Sequence, residues 1–351
     1  MRGSIERVTA VVRGELPDRP PLYDLLRNDA VISYFAGDPL TLDNAAEAVY
    51  RAYEPAIDAT RPLVRLPNAE TTVRRADGRY ERRFRWTTWI EPARYADAAS
   101  YAAAKRAYLD RWDPAWTPDK QRRMEEYLSD IADQRRRLGE VFFFPGGPCL
   151  GLMGIIHEVG LEHFAYYHAE FPDVIDELLE VHALDAVTWI GHLPEGHGIV
   201  AVFAGDDIAF KGGPLLSPTW FEQHYFDRMA RLLAAYHERG IRVLFHSDGN
   251  LNALLDGLVD AGIDGLNPIE VVAGMDVGEI HRKYPDLFMA DGIDVSQLLP
   301  YGSPAEVKET VRRTIEAAEG RLLVGSSTEL NNEVPLENYL ALREAVLEYT
   351  Y

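Results

Sequence analysis

The stretch RVLFHSDGNLNALLDGLVDAGIDGLNPIE, Arg242 to Glu270, runs three apolar residues straight into His246, Ser247 and Asp248 before a helical pattern begins. A histidine and an aspartate two residues apart at a strand end point to the same side. With Glu270 they make a nitrogen and oxygen set that suits zinc or another divalent ion. The same groups also suit metal-free acid and base work, because neighbouring carboxylates acquire spread pKa values. A third reading is structural: a core histidine, Asp248 closing an Asx-turn, and Asn250 capping the helix that follows. Asp206 and Asp207 form a like-charge pair that, once buried, needs a cation or a proton. Lys211, four residues on, can be that cation, and a helix cap is the alternative role for one of the pair. Asp207, Asp248 and Lys211 are therefore the candidate catalytic groups, and His246, Asp248 and Glu270 the candidate metal ligands. Arg27, Asp206, Asp291, Glu329 and His157 are the candidates for holding substrate.

A frame must bring these residues together, and the pattern of the chain supplies one. From about Glu140 onward, short apolar runs alternate with helical patterns, the signature of parallel strands joined by crossover helices. EVFFFPGG, GIVAVFAGDD, RVLFHSDG, DGLNPIE, LFMADGID and RLLVGSSTE read as strands. DRPPLYD and PLVRLPN supply two earlier ones, which completes the α/β arithmetic of a (β/α)8 TIM barrel. One barrel domain over residues 1–351 is expected, with a β-hairpin and helical insertion at about 70–138 after the second strand. Ser217 caps and Pro218 opens the helix that Gly240 closes. A doubly wound sheet would need a glycine fingerprint after an early strand; FPGGPCLGLMG lacks the G-x-G-x-x-G spacing. In a barrel, chemistry sits where strands run into the following loops. The residues there are Asp24 and Arg27, Asn68 and Glu70, Asp206 and Asp207, His246 and Asp248, Glu270, Asp291 and Asp294, and Ser326 to Glu329. His192 and His197 fall on the opposite rim.

Composition narrows the partners. The formal charge of −20 disfavours nucleic acid and anionic lipid. No window approaches the roughly 18 apolar residues of a membrane span, and the start has no secretory pattern. Cys149 is the only cysteine, so a disulfide and a cysteine-rich metal site are excluded, which fits a reducing cytoplasm. The arginine-rich segment Thr72 to Trp86 reads as a hairpin turning at Asp77-Gly78; a lid or arm reaching carboxylates is the other reading.

Taken together, RVTAVVRGELPDRPP, GDDIAFKGGPLLSPTWF, the stretch around FHSDGN, ADGID and GSSTELNNEVPLENYLALREAV resemble the uroporphyrinogen decarboxylase superfamily. That superfamily includes cobalamin-dependent methyltransferases on the same barrel. The resemblance covers most of the chain. Porphyrin decarboxylases carry an Arg-Gln-Ala-Gly-Arg-type cluster after the first strand and a histidine near the last. Here those places read LYDLLRNDAV, with only Arg27, and GSSTEL. In the corrinoid-linked methyltransferases zinc is held by a His-x-Cys pair and a later Cys. His246 matches the histidine, Asp248 stands in the first Cys place, and Thr328 falls about where the last would be. The resemblance implies metal-assisted methyl or one-carbon transfer to a small molecule, with a corrinoid or corrinoid protein as partner and a homodimer as the assembly. Two other readings stay open. One is metal-free decarboxylation of a small or tetrapyrrole acid, with arginines holding the carboxylate; the other is a non-catalytic barrel that binds a corrinoid or tetrapyrrole.

Overall fold

In the computed structural model, which describes residues 3–62 and 64–351, the apolar runs of the second half form parallel strands. Ala201–Gly205, Arg242–His246, Gly265–Asn267, Phe288–Asp294 and Leu322–Ser327 lie side by side in chain order in one sheet. Their residues are mostly buried on both faces, as strands covered by helices are. Ala59–Thr60 pairs in parallel with Phe142–Phe143. Three parallel bridges then close the ring: Leu22 with Val324, Tyr23 with Ala59, and Gly146 with Phe203. The result is an eight-stranded α/β barrel.

The second strand lies earlier than its composition predicts. It is Ala59–Thr60, and the chain leaves the ring at Arg61 and Pro62, where proline has no N–H to give a ladder. Residue 63 of the expected strand lies outside the described residues. Asn68 and Glu70 consequently stand away from any barrel strand end. Asn68 bonds the main chain of Phe84 and Arg85, and Glu70 is exposed. The expected hairpin is part of a three-stranded antiparallel sheet, Thr71–Arg74, Tyr80–Arg83 and Thr88–Ile90. Its arginines are largely occupied locally: Arg79 pairs with Asp77, and Arg75 and Arg83 share Glu81. Helices Ala98–Leu109 and Pro118–Leu138 complete the segment before the third strand. The predicted helix over 217–240 is two, Pro218–His224 and Phe226–Glu238, with Ser217 capping the first through Trp220 N–H. Among the described residues no helix is long and apolar enough to cross a membrane.

The N-terminal helix Ser4–Val12 closes one end of the barrel. Val8, Val11 and Val12 pack with Tyr23, Phe142, Phe144, Leu244, Phe288 and Leu323 in the interior. Asp58, just before the second strand, locks this plug. It accepts from Arg7 at 2.9 Å, Arg19 at 2.7 Å, Ser4 at 2.6 Å and the Leu22 N–H at 2.8 Å. The opposite end, where the strands finish, is thereby left as the mouth.

Asp58→Asn removes the anionic partner of two arginines and is expected to lower stability by about 3 kcal/mol. Burial alone would raise the Asp58 pKa, but Arg19, Ser4 and the Leu22 amide hold it below the usual carboxylate range. Its contribution is therefore complete above the unfolded-state value of about 3.9 and is lost as pH falls through the lower folded value. Urea melts at a series of pH values check this: the gap between wild type and Asp58→Asn should narrow only at the acid end.

Candidate functional site

Three fully buried residues, Val243, Leu244 and Phe245, carry the fifth strand to the mouth and deliver His246 there. Register places His246 beside Gly205 on one neighbour and Asn267 on the other. A Cβ at Gly205 would lie 2.5 Å from the His246 carbonyl oxygen, so only glycine admits this close approach. Asp207 follows two residues after that glycine.

The imidazole is held from behind. Nδ1 of His246 lies 2.8 Å from Oδ1 of Asn267, and the amide nitrogen of Asn267 donates to Asp291 Oδ2 at 2.6 Å. With the amide N–H committed to Asp291, Oδ1 is left to accept, so Nδ1 carries the hydrogen and Nε2 presents a lone pair. Burial, and then the charge of Arg61, hold His246 well below the ordinary imidazole pKa, so it is neutral at pH 7. Asp291 is fully buried with φ +77°, and its Oδ1 has no partner. Burial, followed by the charge of Asp24, pushes its pKa far above the usual range. It supports Asn267 from inside the barrel rather than lining the mouth, where the sequence placed it.

In front, Nε2 faces two carboxylates: Asp207 Oδ1 at 3.5 Å and Asp248 Oδ1 at 4.0 Å. Candidate ligand atoms of the three residues all lie within 4.8 Å of one another. Asp207 also accepts the Asp248 N–H at 3.1 Å, which fixes the turn. Nearly half of the Asp248 side chain is exposed, at 48 %, yet its Oδ1 is enclosed and unpartnered. Burial, then Asp207, then Glu270, raise its pKa to about 7. Gly249, at φ +94°, continues the turn; a Cβ there would strike the Phe210 backbone at 2.5 Å.

The other expected residues distribute as follows. Asp206 turns away from the mouth and accepts from the amides of Gly151 and Met153 and the hydroxyl of Tyr225. It caps the helix Leu152–Val159, the structural role for one member of the pair, and its carboxylate is taken up by these donors. Lys211 is exposed at the turn between Ala209–Phe210 and Gly213–Pro214 and, among the described residues, forms no ion pair. It is not the cation for Asp207. Glu270 accepts the Gly249 N–H at 2.6 Å and stands outside the three-residue group, its place taken by Asp207. Glu329 pairs with Arg27 beside the mouth, and His157 is exposed on its helix. Asn250 accepts from Asn252 N–H, while the helix starts only at Leu255, so it is not the cap. Asp294 bonds the amides of Ser296, Gln297 and Leu298 and shapes its turn. Sequence reasoning missed Arg61 and Asn267, although Asn267 precedes Pro268 at the end of a fully buried strand, an unusual place for an amide.

The donor set fits a divalent ion. One imidazole nitrogen with its other nitrogen already bonded, two carboxylates, and an enclosed oxygen lacking a partner are what such a site needs. Asn267→Ala is expected to cost about 1–3 kcal/mol of stability. It should also release the His246 tautomer, seen in nitrogen NMR as a shift from one Nδ1-protonated form to a mixture.

The uroporphyrinogen decarboxylase (URO-D) family model matches residues 124–349, a span that contains Asp207, His246, Asp248, Asn267 and Asp291. A methyltransferase from Methanosarcina mazei has a similar fold, with a TM-score of 0.68 and 19% identity over 99% of each chain. A B12-independent methionine synthase from Shewanella sp. W3-18-1, in complex with selenomethionine, is 12% identical and scores 0.45 over 94% of this chain and 97% of that one. No curated protein matches the sequence. The family match takes in six of the eight barrel strands together with the whole His246 cluster, and the chain belongs to the uroporphyrinogen decarboxylase (URO-D) family.

Proposed function

We propose that this protein is a methyl or one-carbon transferase that uses a divalent metal, zinc in the first instance, held by Asp207, His246 and Asp248. The observation that carries this is the convergence of Asp207 and Asp248 on the one imidazole nitrogen of His246 that Asn267 leaves free. An ion held there would act as a Lewis acid that lowers the pKa of a bound acceptor group. The protein's own part is orientation. Asn267 fixes the imidazole, the Asp248 amide fixes Asp207, and Glu270 ties down the Gly249 amide. The Phe203 ring packs against His246 with centres 4.9 Å apart and walls that side with apolar surface. The fold likeness to the M. mazei methyltransferase supports the reaction class, and a corrinoid, free or on a partner protein, would be the methyl carrier.

A second reading is metal-free decarboxylation, and Asp248 favours it. A carboxyl group with its pKa raised to about 7 is partly protonated at neutral pH and can give a proton to a carbanion. Metal analysis separates the two. Protein loaded with zinc and desalted should retain one ion per chain; His246→Ala and Asp207→Asn should lose it, and Asp206→Asn should keep it because Asp206 caps a helix. If wild type takes up no zinc, cobalt or manganese, the metal reading falls and decarboxylation takes its place.

A further inference from the structure

Arg61 enters the mouth directly from the second strand and is only 4% exposed. One guanidinium nitrogen donates to the Thr328 carbonyl at 2.8 Å; Nε is enclosed and has no partner. Among the described residues Arg61 forms no ion pair. A buried cation left this way carries a desolvation penalty that a carboxylate partner would offset. Its position 4.9 Å from the Phe203 ring centre returns part of that cost through cation–π attraction. The neighbouring Arg27, by contrast, is paired with Glu329. Arg61 therefore keeps guanidinium hydrogens that no carboxylate among the described residues takes up.

We propose that Arg61 is the anchor for a carboxylate of the substrate, and that the substrate class is a small monocarboxylic acid. The planar fork of a guanidinium matches a carboxylate with two parallel hydrogen bonds. His246 and Arg61 both pack on Phe203, each 4.9 Å from its ring centre, which puts imidazole and guanidinium within about twice that distance of each other. An acid with roughly two or three carbons between its carboxylate and its reacting atom spans that gap. A phosphate dianion fits less well. Asp248, Glu270 and Glu329 line the adjoining cleft of about 260 Å³ beside Thr328, and they repel a second negative charge. The inference deepens the reading of the mouth as the active site, but it does not require the metal.

Calorimetric titration tests it with 3-mercaptopropionate and 3-hydroxypropionate against their neutral amides, on zinc-loaded and on metal-stripped protein, with inorganic phosphate as a third probe. Wild type should prefer each acid to its amide by about tenfold or more in both metal states. Arg61→Met should bring acid affinity down to that of the amide while leaving amide binding, zinc content and circular dichroism unchanged, and Arg61→Lys should keep part of the preference. Equal affinity for acid and amide in wild type, absence of acid binding at millimolar concentration, a preference that survives in Arg61→Met, or tighter binding of phosphate than of either acid would each overturn the assignment. If wild type binds no metal but still prefers the acids, the metal reading fails and the Arg61 anchor stands. If metal is bound and acid and amide are equal, the anchor alone fails.

Discussion

Asp207 and Asp248 face the same imidazole nitrogen across 3.5 and 4.0 Å, and keeping two carboxylates that close is the demand the surrounding structure meets. Among the described residues neither forms an ion pair with lysine or arginine. Main chain holds Asp207, through the Asp248 amide, and the next amide, of Gly249, ties the turn that carries Asp248 to Glu270. Such donors hold a carboxylate in place without supplying a full positive charge, and burial, with the charges of Asp207 and Glu270 added to it, raises the pKa of Asp248. A divalent cation relieves the like-charge repulsion; a proton relieves it in part. Both chemical readings of the site follow from this single arrangement.

The barrel interior extends the same logic inward. Behind His246, Asn267 spends its carbonyl on the imidazole and its amide on Asp291, so one side chain sets the direction of the imidazole by means of a buried acid. Asp24 stitches the first strand to the eighth by accepting from the Ser326 hydroxyl and amide and from the Leu330 amide. Burial raises it to about 7, and it lies among the groups that bear on Asp291. Polar residues in the core serve strand closure and imidazole orientation, and apolar packing supplies the rest: the valine plug below, Tyr23, Phe144, Leu244 and Phe288 in the middle.

Much of the frame was legible because parallel strands are long apolar runs that end in polar turns. AVFAG, RVLFH, FMADGID and RLLVGSS announce themselves, and the ends of the first two led to Asp207, His246 and Asp248. The second strand was not legible. Two small residues, Ala59 and Thr60, make the ladder, while the more β-like run after them belongs to the insertion. That shift hid Arg61, whose importance comes from where the chain leaves the ring. Asn267 was hidden differently: an Asn-Pro pair reads as a turn, and only register shows that the asparagine lies beside His246. Lys211 was placed by separation along the chain, which says nothing about the hairpin that carries it outward.

In the proposed site an ion is held by one nitrogen and carboxylate oxygens, in a barrel whose only cysteine, Cys149, sits in a different loop. Zinc K-edge X-ray absorption on the loaded protein addresses that coordination directly. The predicted spectrum has a shell of nitrogen and oxygen at about 2.0–2.2 Å, the outer-shell scattering of one imidazole, and no sulfur. A sulfur shell at about 2.3 Å, or zinc coordination that lacks imidazole altogether, would contradict it.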